Sequence, residues 1–260
     1  MPDWFVYLLI ANNVVTLAIL YLATRRMLKL RRQKRRAFAF GSYPIPKVRL
    51  EDVDPCFAMT EHGPSPASTV IFIGGEGVTA SLSDRETWVL AGLAKSVRRI
   101  FEFGTCSGKT AHVMALNAPE GAEIHTLTIH PDQLADMDFE GGDDCLHQGR
   151  AAEESAFATF YYEGHPTEDK IRQIFSDSKV FDEAPLKGIV DLVFIDGAHT
   201  RTYVENDTDK ALAMLSDRGI VLWHDYKPDA PDVFRYLNEL SKTLPLVHIK
   251  DTDIVMYRQK

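Results

Sequence analysis

Cysteine is scarce in this chain. Its three thiols in 260 residues, Cys56, Cys106 and Cys145, are odd in number and carry no metal-ligand spacing. They offer neither a disulfide framework nor a thiolate metal site, and they fit a reducing compartment. Acids are missing from residues 25–36, which hold eight Lys and Arg, and charged side chains of either sign are missing from residues 4–24. Outside those stretches it is basic residues that run short: the net charge is −8 overall and near −15 over residues 37–260. An acidic body argues against a broad nucleic-acid footprint. No internal repeat is present.

Residues 4–24 are mostly aliphatic, and as a helix they reach about 30 Å, the thickness of a bilayer's hydrocarbon core. Trp4, Tyr7 and Tyr21 lie near the ends of the stretch, where amphipathic rings favour the interface. A cleaved signal would carry basic residues before the apolar core as well as after it. Asn12 and Asn13 are costly in mid-span unless they hydrogen-bond a second copy of the helix, so a homo-oligomer is among the expectations. The basic run 25–36 predicts that the body stays in the cytoplasm, and attracts anionic lipid at about 1 kcal/mol per residue. The expected organisation is a transmembrane anchor over 1–24, a basic and proline-rich linker over 25–68, and a single domain over 69–260.

That domain turns on Ile100-Phe101-Glu102-Phe103-Gly104-Thr105-Cys106-Ser107-Gly108-Lys109-Thr110. An apolar run, two glycines four positions apart and apolar residues at helical spacing (Ala111, Val113, Met114, Leu116) predict strand, tight turn and helix. Gly104 permits backbone shapes closed to other residues and lets a ligand approach closely. Cys106 stands where a dinucleotide fingerprint needs glycine, and three residues rather than four separate the glycines before Lys109-Thr110, one short of a phosphate-cradling P-loop.

Further elements follow the same logic. Residues 70–75 suggest a short strand and turn. Ser83 and Glu86 form a capping box opening a helix that carries Trp88, Val89, Leu90, Leu93 and Ala94. Residues 124–129 and 171–175 read as strands and 136–149 as a polar loop. The aromatic stretch 157–164 reads as core packing or as the wall of a substrate pocket. Val190-Asp191-Leu192-Val193-Phe194-Ile195 and Gly219-Ile220-Val221-Leu222-Trp223 are continuous enough for strands buried on both faces. They end in Asp196-Gly197-Ala198-His199 and His224-Asp225-Tyr226, and residues 246–249 and 254–257 suggest a terminal antiparallel pair.

The glycine turn, Phe175-Ser176-Asp177-Ser178, Phe194-Ile195-Asp196-Gly197-Ala198-His199 and Leu222-Trp223-His224-Asp225-Tyr226, in that order, resemble class I S-adenosylmethionine-dependent methyltransferases, and among them the family-24 type of methyltransferase domain, over residues 80–258. The resemblance implies an α/β, Rossmann-like fold with a seven-stranded, mostly parallel sheet, one antiparallel strand, and cofactor over the carboxyl ends. It places Glu102, Gly104, Thr105, Ser107 and Gly108 around the methionine part of S-adenosyl-L-methionine, Asp177 and Ser178 near the adenine, and Asp196 at the junction with the acceptor. Thr128 stands where many relatives hold the ribose through an acid, and a hydroxyl binds a diol less strongly than a carboxylate.

Methyl transfer to a hydroxyl needs alignment and a base, or a metal that lowers the acceptor's pKa. His199, His224 and Asp225 are the expected catalytic residues. Asp196, His224 and Asp225 are the expected ligands for Mg²⁺ or another divalent cation, although a histidine departs from the carboxylate or amide ligands usual at such strand ends. The same residues also admit plain structural roles, with Asp196 capping a turn and His224 paired with Asp225. The expected function is O-methylation of a small-molecule, glycan or lipid-linked acceptor at the cytoplasmic membrane face. The alternatives are a membrane-tethered, non-catalytic binding module on the same fold and, further off, a P-loop nucleotide-binding protein.

Overall fold

The structure is a computed structural model that describes residues 2, 4, 13–29, 43–78, 80–137, 139–141 and 143–259. The chain divides into two compact units, Met1–Ser42 and Tyr43–Lys260. In the first, residues 13–29 form helix α1, and Leu17, Leu20 and Leu22 on it are exposed. Among the described residues no helix is long and apolar enough to cross a membrane. The span expected over 4–24 includes residues 5–12, which lie outside the described residues, as do residues 30–36 of the basic run.

The second unit begins well before residue 69. Strand β1 (Lys47–Val48) precedes a hairpin of β2 (Met59–Thr60) and β3 (Gly63–Pro64), so the proline-rich stretch assigned to a linker packs with the domain, burying Ile45 and Phe57. Then follow α2 (Asp84–Ala94), β4 (Arg99–Phe103), α3 (Lys109–Asn117), β5 (Glu123–Thr128), α4 (Cys145–Glu154), β6 (Ile171–Phe175), β7 (Val190–Ile195), α5 (Arg201–Met214), β8 (Leu215–Trp223), α6 (Pro231–Leu240), β9 (Val247–Ile249) and β10 (Val255–Arg258).

One sheet runs in the order β1-β9-β10-β8-β7-β4-β5-β6. Only β10 is antiparallel to its neighbours. The sheet thus has eight strands, not seven. The extra one arises because the His248 and Lys250 amides bond to Pro46 O and Val48 O, which adds a two-residue edge too short to show a period in sequence. Residues 70–75 form no strand: Ile71 exchanges both backbone bonds with the Asn117 side chain instead of a sheet partner, and Ile71 and Phe72 remain exposed. Residues 145–149, expected in a loop, open α4. The capping box of α2 forms as expected, with Ser83 and Glu86 exchanging bonds.

From β4 the chain moves outward through β5 and β6, then returns to β7 on β4's other side. The strand order therefore reverses between β4 and β7, and the crevice beyond their carboxyl ends is where open α/β sheets bind ligands. Gly104 sits at this point with φ +98°, and a Cβ there would lie 2.2 Å from Asp196 O. The room expected to admit a ligand is already taken by the neighbouring strand end.

Gly104→Ala should therefore cost left-handed strain and a steric clash together, about 2–6 kcal/mol or roughly 5–20 °C in Tm. Gly121→Ala shares a positive φ of +72° but meets nothing nearer than 4.0 Å, so it should cost only the strain, about 1–2 kcal/mol. Equal losses in thermal melts of the two variants would refute the close-approach account.

Candidate active site

A file of buried polar groups holds the glycine turn from below. Tyr162 Oη donates to Gln173 Oε1 (2.7 Å), Gln173 Nε2 to Thr105 Oγ1 (3.2 Å), Thr105 Oγ1 to Thr126 Oγ1 (2.8 Å), and Thr126 Oγ1 to Glu102 Oε2 (2.5 Å). Burial pushes the Glu102 carboxyl up to about 8; the Thr126 bond opposes the rise and the charge of Asp196 adds to it. Glu102 is thus mostly neutral at pH 7 and faces the floor, not the cavity. Gly108, with φ +77°, leaves room for Phe160 and Tyr162, either of which a Cβ would approach to within 2.9 Å. The aromatic stretch accordingly supports the turn from the core, and none of its residues lines the cavity above the turn.

Above the turn lies a cavity of about 1300 Å³, part of it open to solvent. Gly104, Thr105, Ser107, Thr128, Asp177, Ser178, Asp196, His199, His224 and Asp225 all line it. Of the residues singled out in the sequence, Glu102 and Gly108 do not line the cavity and stand behind its wall. Asp177 accepts from Tyr203 Oη at 2.8 Å. The end of β5 brings Thr128 to the wall without a carboxylate, because His130 and Asp132 turn toward each other outside the lining.

The four residues expected at the reacting end converge. His224 Nδ1 lies 2.9 Å from Asp196 Oδ1, and His199 Nε2 lies 2.9 Å from Asp225 Oδ2 and 3.5 Å from Asp196 Oδ1. Burial opposes charge on His199, but bonds to Asp196 and Asp225 outweigh it and raise the imidazole to about 10. His224 is raised well above its ordinary value against the same burial, by Asp196 and Glu86. Burial likewise disfavours the charged carboxylates, yet the two imidazoles hold Asp225 well below its ordinary value and Asp196 below its own. At neutral pH the cluster consists of two imidazolium–carboxylate pairs. Among the described residues, the group able to hold a cation is Asp196, His199 and Asp225, whose donor atoms lie within 4.8 Å of one another. His224, expected in that set, flanks Asp196 instead.

Several cluster partners were not singled out from sequence. Glu86, visible there only as a cap, also lies 3.6 Å from His224 Nε2 and accepts from the Asp253 amide at 2.7 Å. Glu154 on α4 lies 3.7 Å from His199 Nδ1 and is paired with Arg150. Lys227 pairs with Asp225 and Asp253. Asp207, one turn after Tyr203, occupies the buried face of α5, where burial pushes it up to about 7 despite bonds from Ser178 and Asn206. A polar residue at an apolar-face position was the available signal.

These shifts fix the sign of the pH response. Glu102 and Asp207 have folded values above their unfolded ones, so their contribution is fully present below about pH 4 and is lost as pH rises through about 8 and 7. His199 adds a further loss between its unfolded value of 6.5 and about 10. Tm should therefore fall steadily from pH 5.5 to 9, and Glu102→Gln should flatten the part below pH 8. A Tm that holds or rises over that range, followed by differential scanning calorimetry, would contradict the assignments.

Residues 101–226 match the sequence model of a family described as "Methyltransferase domain", of the family-24 type. No curated protein matches the chain. Solved structures of similar fold include the O-methyltransferase TomG of Streptomyces achromogenes, involved in tomaymycin synthesis and bound to S-adenosylmethionine, at 16% identity over 69% of this chain and 82% of that one, with a TM-score of 0.48. The methyltransferase PaMTH1 of Podospora anserina, bound to S-adenosylhomocysteine, is 18% identical over 69% and 79%, with a TM-score of 0.49. An O-methyltransferase from Bacillus cereus with S-adenosylhomocysteine is 16% identical over 70% and 84%, with a TM-score of 0.47. The family's four motifs stand at the strand ends and its sequence model is matched across all of them, so residues 101–226 are similar to a methyltransferase domain of the family-24 type.

Proposed function

We propose that the cavity binds S-adenosyl-L-methionine with its methionine part against the glycine turn and its adenine toward Asp177 and Ser178, and that the methyl group passes to an acceptor hydroxyl beside Asp196, His199, His224 and Asp225. The observation that carries this reading is the opening of the turn, the Asp177 loop and the ionic cluster onto one cavity. S-adenosylmethionine bound here would supply an electrophilic methyl group, its sulfur keeping the electron pair of the broken bond, while Asp196, His199, His224 and Asp225 would take the proton that the acceptor hydroxyl loses as the carbon–oxygen bond forms. Both imidazoles already carry protons at neutral pH, so the base form grows as pH approaches the His199 value near 10.

A divalent cation fits the same place. Asp196, His199 and Asp225 offer two oxygens and one nitrogen, a donor set suited to Mn²⁺ or Zn²⁺ as well as Mg²⁺. Bound there it would lower the acceptor's pKa. His199 must first give up its proton, so binding should release one. We further place the acceptor, a small molecule, glycan or lipid-linked compound, at the cytoplasmic membrane face. The uncharged stretch 4–24 and the basic run 25–36 support that placement. A protein so anchored stays in the pellet when membranes are washed with alkaline carbonate, and its release into the supernatant would remove the tether from the reading.

Calorimetry of the protein with S-adenosylmethionine should show binding, and with ATP none. Titration with Mn²⁺ should give a heat that varies with the buffer's ionisation enthalpy, the sign of a displaced proton. Binding of ATP alone would turn the reading toward a nucleotide protein, and a buffer-independent Mn²⁺ heat would take His199 out of the metal set.

A further inference from the structure

Besides the imidazoles of His199 and His224, three basic side chains line the cavity: Lys109, Arg150 and Lys227. Arg150 is paired with Glu154 at 2.9 Å, and Lys227 with Asp225 and Asp253. Lys109 is different. It is the first residue of α3, only 5% exposed, and its Nζ donates to the Ser81 hydroxyl at 3.0 Å. Among the described residues no carboxylate forms an ion pair with it. Ser81 Oγ in turn donates to Leu82 O at 3.2 Å, so the amine's partner is a neutral oxygen that is itself engaged. A buried ammonium with no counter-charge is costly, and a site of this kind gains by taking in an anion. The first amides of a helix favour the same charge. Burial lowers the amine's hold on its proton, with Asp84 only partly opposing, and an anion in the cavity would restore it.

We propose that Lys109, assisted by Ser81, is the receptor for the carboxylate of the cofactor's methionine part and thereby selects ligands carrying an intact amino-acid end. This rests on the cofactor reading above. The carboxylate is the one anionic group of S-adenosylmethionine, and the glycine turn lies immediately before Lys109 in the chain. The same lysine that invites comparison with a P-loop therefore takes a carboxylate. The loop is one residue short for phosphate, and Ser81, which lines the cavity together with Val78, Ala80 and Leu82, approaches the amine.

The test is calorimetry of the full chain with S-adenosylhomocysteine and with 5′-methylthioadenosine, which lacks the amino-acid end. Lys109→Met should weaken S-adenosylhomocysteine by about 10- to 100-fold while leaving 5′-methylthioadenosine within about 2-fold, and Lys109→Arg should recover most of the loss. Equal weakening of both ligands would make Lys109 a structural residue, and unchanged affinity for both would remove it from the site; either result overturns the proposal. Should Lys109→Met fail to fold, the wild type decides by itself. It should bind the carboxamide of S-adenosylhomocysteine at least about 10-fold more weakly than the acid, and equal affinity would overturn the proposal. If the wild type binds 5′-methylthioadenosine but lacks the carboxylate preference, only this inference falls. If it binds neither nucleoside, the cofactor reading falls with it.

Discussion

The closeness of two strand ends governs the domain. Gly104 finishes β4 against the carbonyl of Asp196, which finishes β7. Bonds beyond the regular ladder extend this contact in both directions: Gly104 N–H to Leu127 O (2.8 Å), Asp196 N–H to Phe103 O (2.9 Å) and His224 N–H to Ile195 O (3.0 Å). The ends of β5, β4, β7 and β8 thus form one rigid ledge. The turn that faces the ligand and the acid that orders the imidazoles are two sides of the same backbone contact. Preorganisation of this kind requires no reordering when a ligand arrives.

On that ledge, burial acts on three acids with opposite results. Glu102 and Asp225 are buried, and Asp196 is largely so. Glu102 meets only a hydroxyl and is driven toward its neutral form, whereas Asp196 and Asp225 meet imidazoles and stay charged. The choice of partner decides the protonation state, as the competition between desolvation and a nearby opposite charge requires. The neutral acid lies under the turn and the charged ones line the cavity, so neighbouring strand ends differ in charge within one sheet.

Much of this was legible in the sequence because parallel strands buried on both faces announce themselves as continuous apolar runs. β4, β7 and β8 stood out for that reason, and the polar residues at their ends marked one rim of the sheet. The residues of the ionic cluster on β7 and β8 followed from that rim. What escaped was anything fixed by contacts distant in sequence. β1 is two residues long and exists only through β9. Glu154 reaches His199 from a helix whose start reads as polar loop. Glu86 shows its local role as a cap, while its place beside His224 depends on a strand more than a hundred residues away. Thr126, Gln173 and Tyr162 look like ordinary strand and loop residues until the fold stacks them beneath the turn. Gly104 reads in sequence as a point of backbone freedom and close ligand approach; the close approach that its missing Cβ permits is that of a strand end, invisible to the sequence.

Helix α5 opens immediately after His199 without a capping side chain of its own. Its first amides are taken by acids from elsewhere: Asp232 accepts from Arg201 N–H (3.2 Å) and Asp143 from Thr202 N–H (3.0 Å) and Oγ (2.8 Å), while Asp232 also accepts from Asp144 N–H (3.0 Å). Residues 143 and 144 also lead directly into α4, whose Arg150 and Glu154 line one side of the cavity. The segment leading into α4 is therefore tied to the first turn of α5, next to His199. Any movement of this segment that broke those bonds would leave the first amides of α5 without their acceptors.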